Sequence, residues 1–291
     1  MNHYNADLKW NEMKISILGS GLSGMAAAKL GKHMGSKIFI SDLNSNPINM
    51  KKMMDYDFEV GMHSKKILDA NFVIISPGIP NSITILNDCK EKHIPIISEI
   101  EFASWFTTSP ILALTGSNGK TTTINLLYDM CITDGKNSLI GGNMGVPFSE
   151  NVLHELTSNI KKIVHVLEIS SFQLENIQSF SPKIAGLLNI SEDHMDRYRN
   201  LTEYSDVKIK LTKNMSKLNT IVYNRDDTIL NKAFKNNNTA HSFSLNNQDK
   251  SYFKLNSNKI FYDTPNKEQV LLNLNETRLK GKHNLQNILA A

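Results

Sequence analysis

Residues 111–123 read ILALTGSNGKTTT, an aliphatic run followed by a glycine-rich loop and a lysine. Its aliphatic beginning, directly after Pro110, predicts a short buried strand that passes through Gly116 and Gly119 into a segment compatible with a helix. Glycines let the backbone approach an anion closely, so that N–H groups and the helix N-terminus point at it. We therefore predict a phosphate-binding loop formed by Gly116, Ser117, Asn118, Gly119, Lys120, Thr121 and Thr122.

The end of this loop carries the side chains that a nucleoside triphosphate needs. Lys120 is expected to reach the β- and γ-phosphates, and the hydroxyl of Thr121 is expected to ligate Mg²⁺. The full phosphate-loop pattern has a glycine at position 114, where this chain has Leu114. The alternative is an ordinary glycine turn before a surface lysine, which accounts less well for a Gly-Lys-Thr sequence directly after a buried strand.

The composition indicates two domains, because 291 residues with a 40% hydrophobic fraction are enough to build two cores. The net charge of +4 comes from basic residues scattered along the chain, so we expect no nucleic-acid partner. Cys89 and Cys131 have no metal-like spacing, which argues against a disulfide framework and a zinc site. No apolar run is long enough to span a bilayer, so we expect no membrane partner and a cytoplasmic location.

A second glycine-rich pattern lies near the N-terminus. A strand predicted at 14–18 runs into GSGLSG, residues 19–24, and then into an alanine-rich helix at 25–33; the next strand, 37–41, ends at Asp42. This layout is typical of a dinucleotide site, with the pyrophosphate on the helix and the ribose on the acid. Two alternatives remain open. The glycines only permit close packing of helix on strand, or the unit binds another nucleotide, such as a uridine diphosphate.

Strands and helices alternate through the rest of the chain. Further strands predicted at 72–75 and 93–97 complete a small α/β domain over residues 1–109, and Pro110 opens a second domain, residues 110–291. Short alternating strands are expected after residue 250 as an antiparallel edge. The fold class is therefore α/β: a Rossmann-like N-terminal domain followed by a P-loop-type ATPase central domain with a mostly parallel sheet.

Polar side chains at strand ends of the second domain are candidate ligands. Asn143 lies among the glycines of GGNMG, where an amide is well situated to contact phosphate or sugar. Glu168 follows the predicted strand 162–167, as does the acid that completes the magnesium shell of P-loop enzymes; alternatively it is an acid stabilised by a helix N-terminus. His194 follows the strand 184–190 with carboxylates beside it, where a ligand role is at least as well supported as a structural one.

Taken in chain order, these motifs resemble the Mur ligase family. The matching stretches are TGSNGKTT, GGNMG, EISSFQL, NISEDHMDRY and GKHNLQN, with Tyr204 and Lys208 four residues apart. The resemblance covers essentially the whole chain. The GSGLSG loop and the wording of EISSFQL and EDHMDRY are most similar to the family members that add D-glutamate.

The resemblance implies an ATP-dependent amide ligase of peptidoglycan precursor synthesis, with ATP and two Mg²⁺ ions as cofactors. ATP would phosphorylate the L-alanyl carboxylate of UDP-N-acetylmuramoyl-L-alanine, and the amine of D-glutamate would displace phosphate from the acyl phosphate. The physical chemistry agrees. A carboxylate is a poor electrophile until its oxygen becomes a good leaving group, and phosphoryl transfer requires cations on the phosphoryl oxygens.

The resemblance also implies roles for individual residues. The catalytic residues would be Lys120, His194 and Lys208. The Mg²⁺ ligands would be Thr121, Glu168, His194 and a carbamylated Lys208, although a solvated helix lysine is the alternative for position 208. The adenine contacts would be Asn284 and Asn287. The substrate contacts would be Leu22, Ser23, Asp42, Gly78, Asn143, Ser170 and Gln173.

Two other classes of function remain open. An NAD-dependent oxidoreductase would explain residues 19–24 with Asp42, but would leave the phosphate loop, Glu168 and His194 without a role. A catalytically silent nucleotide-binding module is the second alternative.

The last residues bear on the activity that we expect. Residues 281–284 resemble the start of a helix, and the apolar stripe that begins at Leu285 reaches Ala291 without a capping residue. The Mur ligase family has a third, C-terminal domain that supplies the D-glutamate site. We therefore expect the first two of three domains, a monomer that binds substrate and is poorly active alone, with the acceptor amino acid left undetermined.

Overall fold

The computed structural model describes residues 9–246, 252–256, 259–264 and 267–291. The chain divides into two compact units that are both discontinuous in sequence. The first unit comprises Met1–Ser109, Gly141–Lys161 and Phe172–Phe180, and the second comprises Pro110–Ile140, Lys162–Ser171 and Ser181–Ala291. The linear division into domains 1–109 and 110–291 stays a prediction.

The first unit contains a five-stranded parallel sheet. Its strands are β1 (Lys14–Leu18), β2 (Lys37–Asp42), β3 (Asp57–Val60), β4 (Phe72–Ile75) and β5 (Ile96–Ser98). Their order is β3-β2-β1-β4-β5, with every neighbouring pair parallel. The order reverses between β1 and β4, and ligands of doubly wound sheets bind at the carboxyl ends of strands at such a point.

The helices between these strands are α1 (Leu22–His33), α2 (Met50–Met53) and α3 (Thr84–Glu91), and α4 (Glu99–Ser104) follows β5. Helix α6 (Phe148–Thr157) belongs to the same unit and packs against α1 and α4. An aromatic cluster formed by Trp10, Phe72, Phe102, Trp105 and Phe106 fills one end of the core with mostly edge-to-face ring contacts.

The second sheet has nine strands and is parallel through its centre. Its strands are β6 (Ile111–Thr115), β7 (Asn137–Gly142), β8 (Ile163–Glu168), β9 (Ile184–Leu187), β10 (Thr220–Asn224), β11 (Ala240–Ser244), β12 (Phe253–Asn256), β13 (Lys259–Thr264) and β14 (Lys267–Asn273). Their order is β14-β13-β12-β11-β10-β9-β6-β8-β7. Strands β12, β13 and β14 pair antiparallel at one edge, whereas β6 lies between β8 and β9 with parallel pairing on both sides.

The remaining helices are α5 (Lys120–Thr133), α7 (Ser171–Leu174), α8 (Leu201–Ile209), α9 (Thr228–Phe234) and α10 (Lys282–Ala290). Ile124 of α5 and Ile288 of α10 join Leu114 of β6 and Val166 of β8 in one apolar core. This packing fixes the start of α5, and with it the phosphate loop, over the carboxyl end of the central strand β6.

The predicted α/β fold class is confirmed, with a mostly parallel second sheet and an antiparallel edge after residue 250. Several elements differ from the sequence expectation: β5 is Ile96–Ser98 where 93–97 was predicted, and β9 ends at Leu187 where the predicted strand reached 190. Strand β3 was missed because DFEV is half-buried at the sheet edge and has no apolar run. Helix α8, which carries Lys208, ends at Ile209, and a 3₁₀ turn follows at Lys210–Thr212.

Candidate active site

The phosphate loop joins β6 to α5 and keeps its anion-binding donors free. Gly119 caps the helix with a φ of +84°, and a Cβ at this position would lie 2.3 Å from Oδ1 of Asn287, so only glycine fits. The first N–H groups of an α-helix lack intrahelical acceptors. Within the described residues, the backbone N–H groups of residues 119–122 donate no hydrogen bond, whereas the N–H of Thr123 donates to the carbonyl oxygen of Gly119. A row of donors is therefore available to a phosphate.

Lys120 lies folded over this loop. Its Nζ donates to the carbonyl oxygens of Gly116 at 2.9 Å and Ser117 at 3.0 Å. These bonds hold the ammonium beside the free N–H groups, where a bound anion would offer it a stronger, charged acceptor.

A hydroxyl and a carboxylate meet next to the loop. The Oγ1 of Thr121 donates to Oε2 of Glu168 at 2.8 Å, and Glu168 is buried at the carboxyl end of β8. Oxygen donors of this kind suit Mg²⁺ together with nucleotide phosphates. In the described part of the chain, no three His, Cys, Asp or Glu side chains gather in a metal-binding group.

Lys208 of α8 is a buried lysine at the same loop. Only 2% of the residue is exposed, and its Nζ donates to the carbonyl oxygen of Gly116 at 2.9 Å, the same oxygen that Lys120 contacts. Burial, with a smaller contribution from the charge of Lys120, lowers the pKa of Lys208 to about 7. The ring of Tyr204 lies 4.7 Å from its Nζ. The solvated-lysine alternative is thus wrong for position 208.

His194 lies in the loop that follows β9. Its side chain is 46% exposed, and Nε2 is 3.4 Å from Oδ2 of Asp193. The φ of +55° is left-handed, which is uncommon for a residue with a Cβ and is concentrated at functional sites.

Both predicted adenine contacts lie on α10. Asn287 is buried against Gly119, so the structure brings it to the phosphate loop. Asn284, three residues earlier and on the same helix face, donates to the carbonyl oxygen of Lys280 at 2.8 Å.

The first unit contains the second glycine loop, between β1 and α1. A Cβ at Gly24 would lie 1.9 Å from the carbonyl oxygen of Gly19, so this glycine allows the helix to approach the strand. Oδ2 of Asp42 accepts hydrogen bonds from the N–H and hydroxyl of Ser20, and Oδ1 accepts one from the N–H of Asn44. Burial alone would raise the pKa of Asp42, but these hydrogen bonds outweigh it and lower the pKa. Asp42 therefore stays ionised and fixes the loop.

The other predicted substrate contacts have different surroundings. Leu22 is largely exposed at the start of α1, Ser23 is half-buried beside it, and Gly78 is exposed in the loop after β4. Asn143 is exposed after β7 and Gln173 is buried in α7; both belong to the first unit. Ser170 is half-buried and belongs to the second unit.

Among the described residues, none of the helices has the length and apolar character required to cross a bilayer.

Two family models match the chain. The Mur ligase middle domain matches residues 114–291, and the Mur ligase MurD-like N-terminal domain matches residues 13–98. The chain belongs to the Mur ligase family.

Individual Mur ligases agree with this assignment. The chain is 36% identical over 286 residues to the UDP-N-acetylmuramoylalanine–D-glutamate ligase of Christiangramia forsetii, and 36% identical over 288 residues to that of Bacteroides fragilis. Each match covers 96% of this chain but 63% of the relative. The chain thus spans less than two thirds of the length of these curated relatives.

Solved Mur ligase structures share the fold. A murein peptide ligase from Psychrobacter arcticus matches with a TM-score of 0.59 and 16% identity, over 96% of this chain and 64% of its own. UDP-N-acetylmuramate:L-alanyl-gamma-D-glutamyl-meso-diaminopimelate ligase from Neisseria meningitides matches with a TM-score of 0.61 and 18% identity, over 96% of this chain and 91% of its own. At these identities the likeness supports the fold alone.

Sequence reasoning missed the polar side chains that hold this Mur ligase site together. Asn189 and Ser191, on the segment after β9, hydrogen-bond to the phosphate loop across more than 70 positions of sequence. Asn189 and Ser191 lie within the motif NISEDH at a strand end, and this local signal did not identify their partner residues.

Proposed function

We propose that this chain carries the nucleotide-binding parts of an ATP-dependent amide ligase that joins D-glutamate to UDP-N-acetylmuramoyl-L-alanine. The observation that supports it most is the row of free N–H groups at residues 119–122, with Lys120 folded over it and Thr121 bonded to Glu168. Relatives that are named for this activity align with 96% of the chain.

The chemistry assigned to these residues is phosphoryl transfer to a carboxylate. Lys120 would exchange its carbonyl contacts for the β- and γ-phosphate oxygens of ATP and stabilise the charge that develops there. The side chains that would hold magnesium are Thr121, Glu168, His194 and Lys208, and the bound ion would neutralise phosphate charge. The free N–H groups would orient the triphosphate, and Asn284 and Asn287 would contact the adenine. The product of the first step is an acyl phosphate, which the D-glutamate amine would open with loss of inorganic phosphate.

Lys208 is proposed to act as a carbamate. An ammonium cannot ligate a cation, whereas a neutral amine attacks CO₂, forms an N–C bond and releases one proton, which leaves an anionic oxygen ligand. A lysine that is 2% exposed, with a pKa lowered to about 7 by burial, has the neutral amine that this reaction needs.

Carbon-13 NMR with labelled bicarbonate tests the carbamate. A carbamate resonance is expected for the unaltered chain and for Lys213→Ala, which alters an exposed lysine, and is expected to be lost in Lys208→Met. A spectrum without the resonance in the unaltered chain, or with it in Lys208→Met, would contradict the assignment.

The UDP-sugar is proposed to bind at the first glycine loop, at the switch point of the five-stranded sheet. The groups that would contact it are Leu22, Ser23, Asp42 and Gly78 in the first unit, with Asn143, Ser170 and Gln173 as further substrate contacts. Asp42 would contribute Oδ1, which among the described residues accepts one hydrogen bond, from the N–H of Asn44, whereas Oδ2 accepts two.

Thermal shift measurements separate this function from an oxidoreductase. A ligand that binds the native state and not the unfolded state raises the melting temperature, by an amount that grows with the logarithm of its concentration relative to Kd. We expect UDP-N-acetylmuramoyl-L-alanine and Mg-ATP each to raise it and NADH to leave it unchanged. A shift with NADH and none with the other two would overturn the proposal in favour of the oxidoreductase. If UDP-N-acetylmuramoyl-L-alanine and Mg-ATP do raise the melting temperature, phosphate release measured with both of them and a panel of amino acids would identify the acceptor.

A further inference from the structure

The segment after β9 continues the sheet alongside the phosphate loop. Within the strands, Thr115 of β6 pairs with Leu187 of β9. Beyond them, the N–H of Leu188 donates to the carbonyl oxygen of Thr115 at 3.0 Å, and the N–H of Ser117 donates to that of Asn189 at 2.9 Å. The first half of the loop is thus hydrogen-bonded to this segment as a strand would be.

The side chain of Asn189 completes the ladder. Its Oδ1 accepts from the backbone N–H of Asn118 at 2.8 Å, and its Nδ2 donates to the backbone carbonyl of the same residue at 3.0 Å. One side-chain amide therefore pairs with both polar groups of Asn118, which directly precedes the left-handed Gly119.

The segment that carries Asn189 is itself held from behind. Nδ2 of Asn224 donates to the carbonyl oxygen of Leu188 at 2.9 Å, and the N–H of Ile190 donates to Oδ2 of Asp227 at 2.7 Å. The hydroxyl of Ser117 bonds to both the N–H and the carbonyl of Ser191. Asn189 thus connects the loop to a rigid support.

We propose that Asn189 is a positioning residue that sets which backbone groups of the loop face the phosphates. Because Asn189 takes both the N–H and the carbonyl of Asn118, the row of free donors begins at Gly119, and neither group of Asn118 can turn toward the anion. His194, which the proposed function uses, lies five residues further along the same segment. The inference rests on the proposed nucleotide binding for its consequence, but its structural part can be measured without any ligand.

The experiment compares Asn189→Ala and Asn189→Asp with a matched control, Asn219→Ala. Asn219 also pairs with the backbone through both ends of its amide, accepting from the N–H of Ser216 and donating to Pro182. Two readouts are used: hydrogen exchange of the Asn118 amide in the absence of ligand, and the affinity for Mg-AMPPNP by calorimetry.

In Asn189→Ala we expect the Asn118 amide to exchange at least tenfold faster, and Mg-AMPPNP to bind about tenfold or more weakly, since two hydrogen bonds to the loop are lost. Asn189→Asp keeps the acceptor and should retain the slow exchange of Asn118. Asn219→Ala should leave both readouts unchanged even where it lowers the melting temperature. Unchanged exchange at Asn118 in Asn189→Ala, or unchanged affinity despite faster exchange, would overturn the inference. Failure of the unaltered chain to bind Mg-AMPPNP would instead contradict the proposed function, and the exchange result would still decide the pairing.

Discussion

The side chain of Lys120 is proposed to contribute to ligand binding but not to the stability of the fold. Among the described residues, its ammonium donates hydrogen bonds to the carbonyl oxygens of Gly116 and Ser117, both within the loop. Removing it leaves the apolar core beneath the loop intact, because that core is formed by side chains of β6, β8, α5 and α10.

We therefore predict that Lys120→Ala keeps its melting temperature within a few degrees but binds Mg-AMPPNP at least tenfold more weakly, since a point charge at the phosphates is lost. Calorimetry measures the affinity. The control is Lys136→Ala, which alters an exposed lysine paired with Asp134. Equal affinities for Lys120→Ala and the control would remove Lys120 from the site.

Glu99 is a buried carboxyl whose pKa lies above the ordinary value of a glutamate. Oε1 accepts a hydrogen bond from the backbone N–H of Ser149 near the start of α6, and Oε2 has no hydrogen-bond partner among the residues that the structure describes. Burial raises its pKa from 4.5 to about 7 in the folded chain. Between these two values the folded state holds a proton that the unfolded state has released.

This proton determines the sign of a pH dependence. The contribution of Glu99 to the free energy of unfolding is neutral below about pH 4.5, falls as the pH rises toward 7, and stays lowered above it, by about 3 kcal/mol. Glu99→Gln should flatten this slope and be the more stable protein at pH 8. Tryptophan fluorescence during urea unfolding measures it, because both tryptophans, Trp10 and Trp105, lie in the first unit. Parallel pH profiles for the two proteins would show the assignment to be wrong.

Residues that follow one another in a motif could be predicted from the sequence, whereas residues that act on distant backbone groups could not. Lys120 and Thr121 are adjacent in a contiguous motif, and Glu168 ends an apolar run, so strand periodicity locates all three. Asn189 and Glu101 act on backbone groups 71 to 79 positions away, and no local pattern names a partner at that distance.

At the scale of elements, Glu101 ties helix α4 to the segment that follows α7. Its fully buried carboxylate accepts from the backbone N–H groups of Gln178, Ser179 and Phe180 and from Nε1 of Trp105. Hydrogen bonds to a carboxylate are stronger than those to a neutral acceptor. The segment 172–180 is thereby fixed to the first unit, although in sequence it follows strand β8 of the second sheet.

Glu101→Gln is predicted to lower the free energy of unfolding of the first unit by about 3 kcal/mol, because an amide NH₂ would face backbone donors in a buried site. The measurement is the urea midpoint reported by tryptophan fluorescence. Glu91→Gln, at an exposed glutamate of α3, is the matched control and should change the midpoint little. A loss for Glu101→Gln no larger than that of the control would contradict the role.

Elements with a strong apolar run were predicted closely, whereas those stabilised by position in the sheet were not. Strand β1, KISIL, is almost fully buried and has the predicted bounds. Strand β3 is half-buried at the edge and depends on pairing with β2, which no short window of sequence reveals.

At the scale of the whole molecule, each compact unit is assembled from separate stretches of chain. The first unit needs α6, whose Phe148 and Val152 are fully buried, and the segment 172–180. A linear boundary at residue 109 follows the composition of the sequence, but it separates Glu99 from Ser149 and Glu101 from Phe180.

We therefore predict that a fragment of residues 1–109 does not unfold cooperatively. It would expose the faces of α1 and α4 that pack against α6, and it would leave the carboxylates of Glu99 and Glu101 without the backbone donors that they bond in the full chain. Lost hydrogen bonds to buried carboxyl groups and a lost apolar interface together cost several kcal/mol, which is comparable with the total stability of a domain of this size. Urea unfolding followed by tryptophan fluorescence compares the fragment with the full chain, since both contain Trp10 and Trp105. A cooperative transition of the fragment, with a urea midpoint close to that of the full chain, would show that residues 1–109 are an independent domain. The two later segments would then contribute little to its stability.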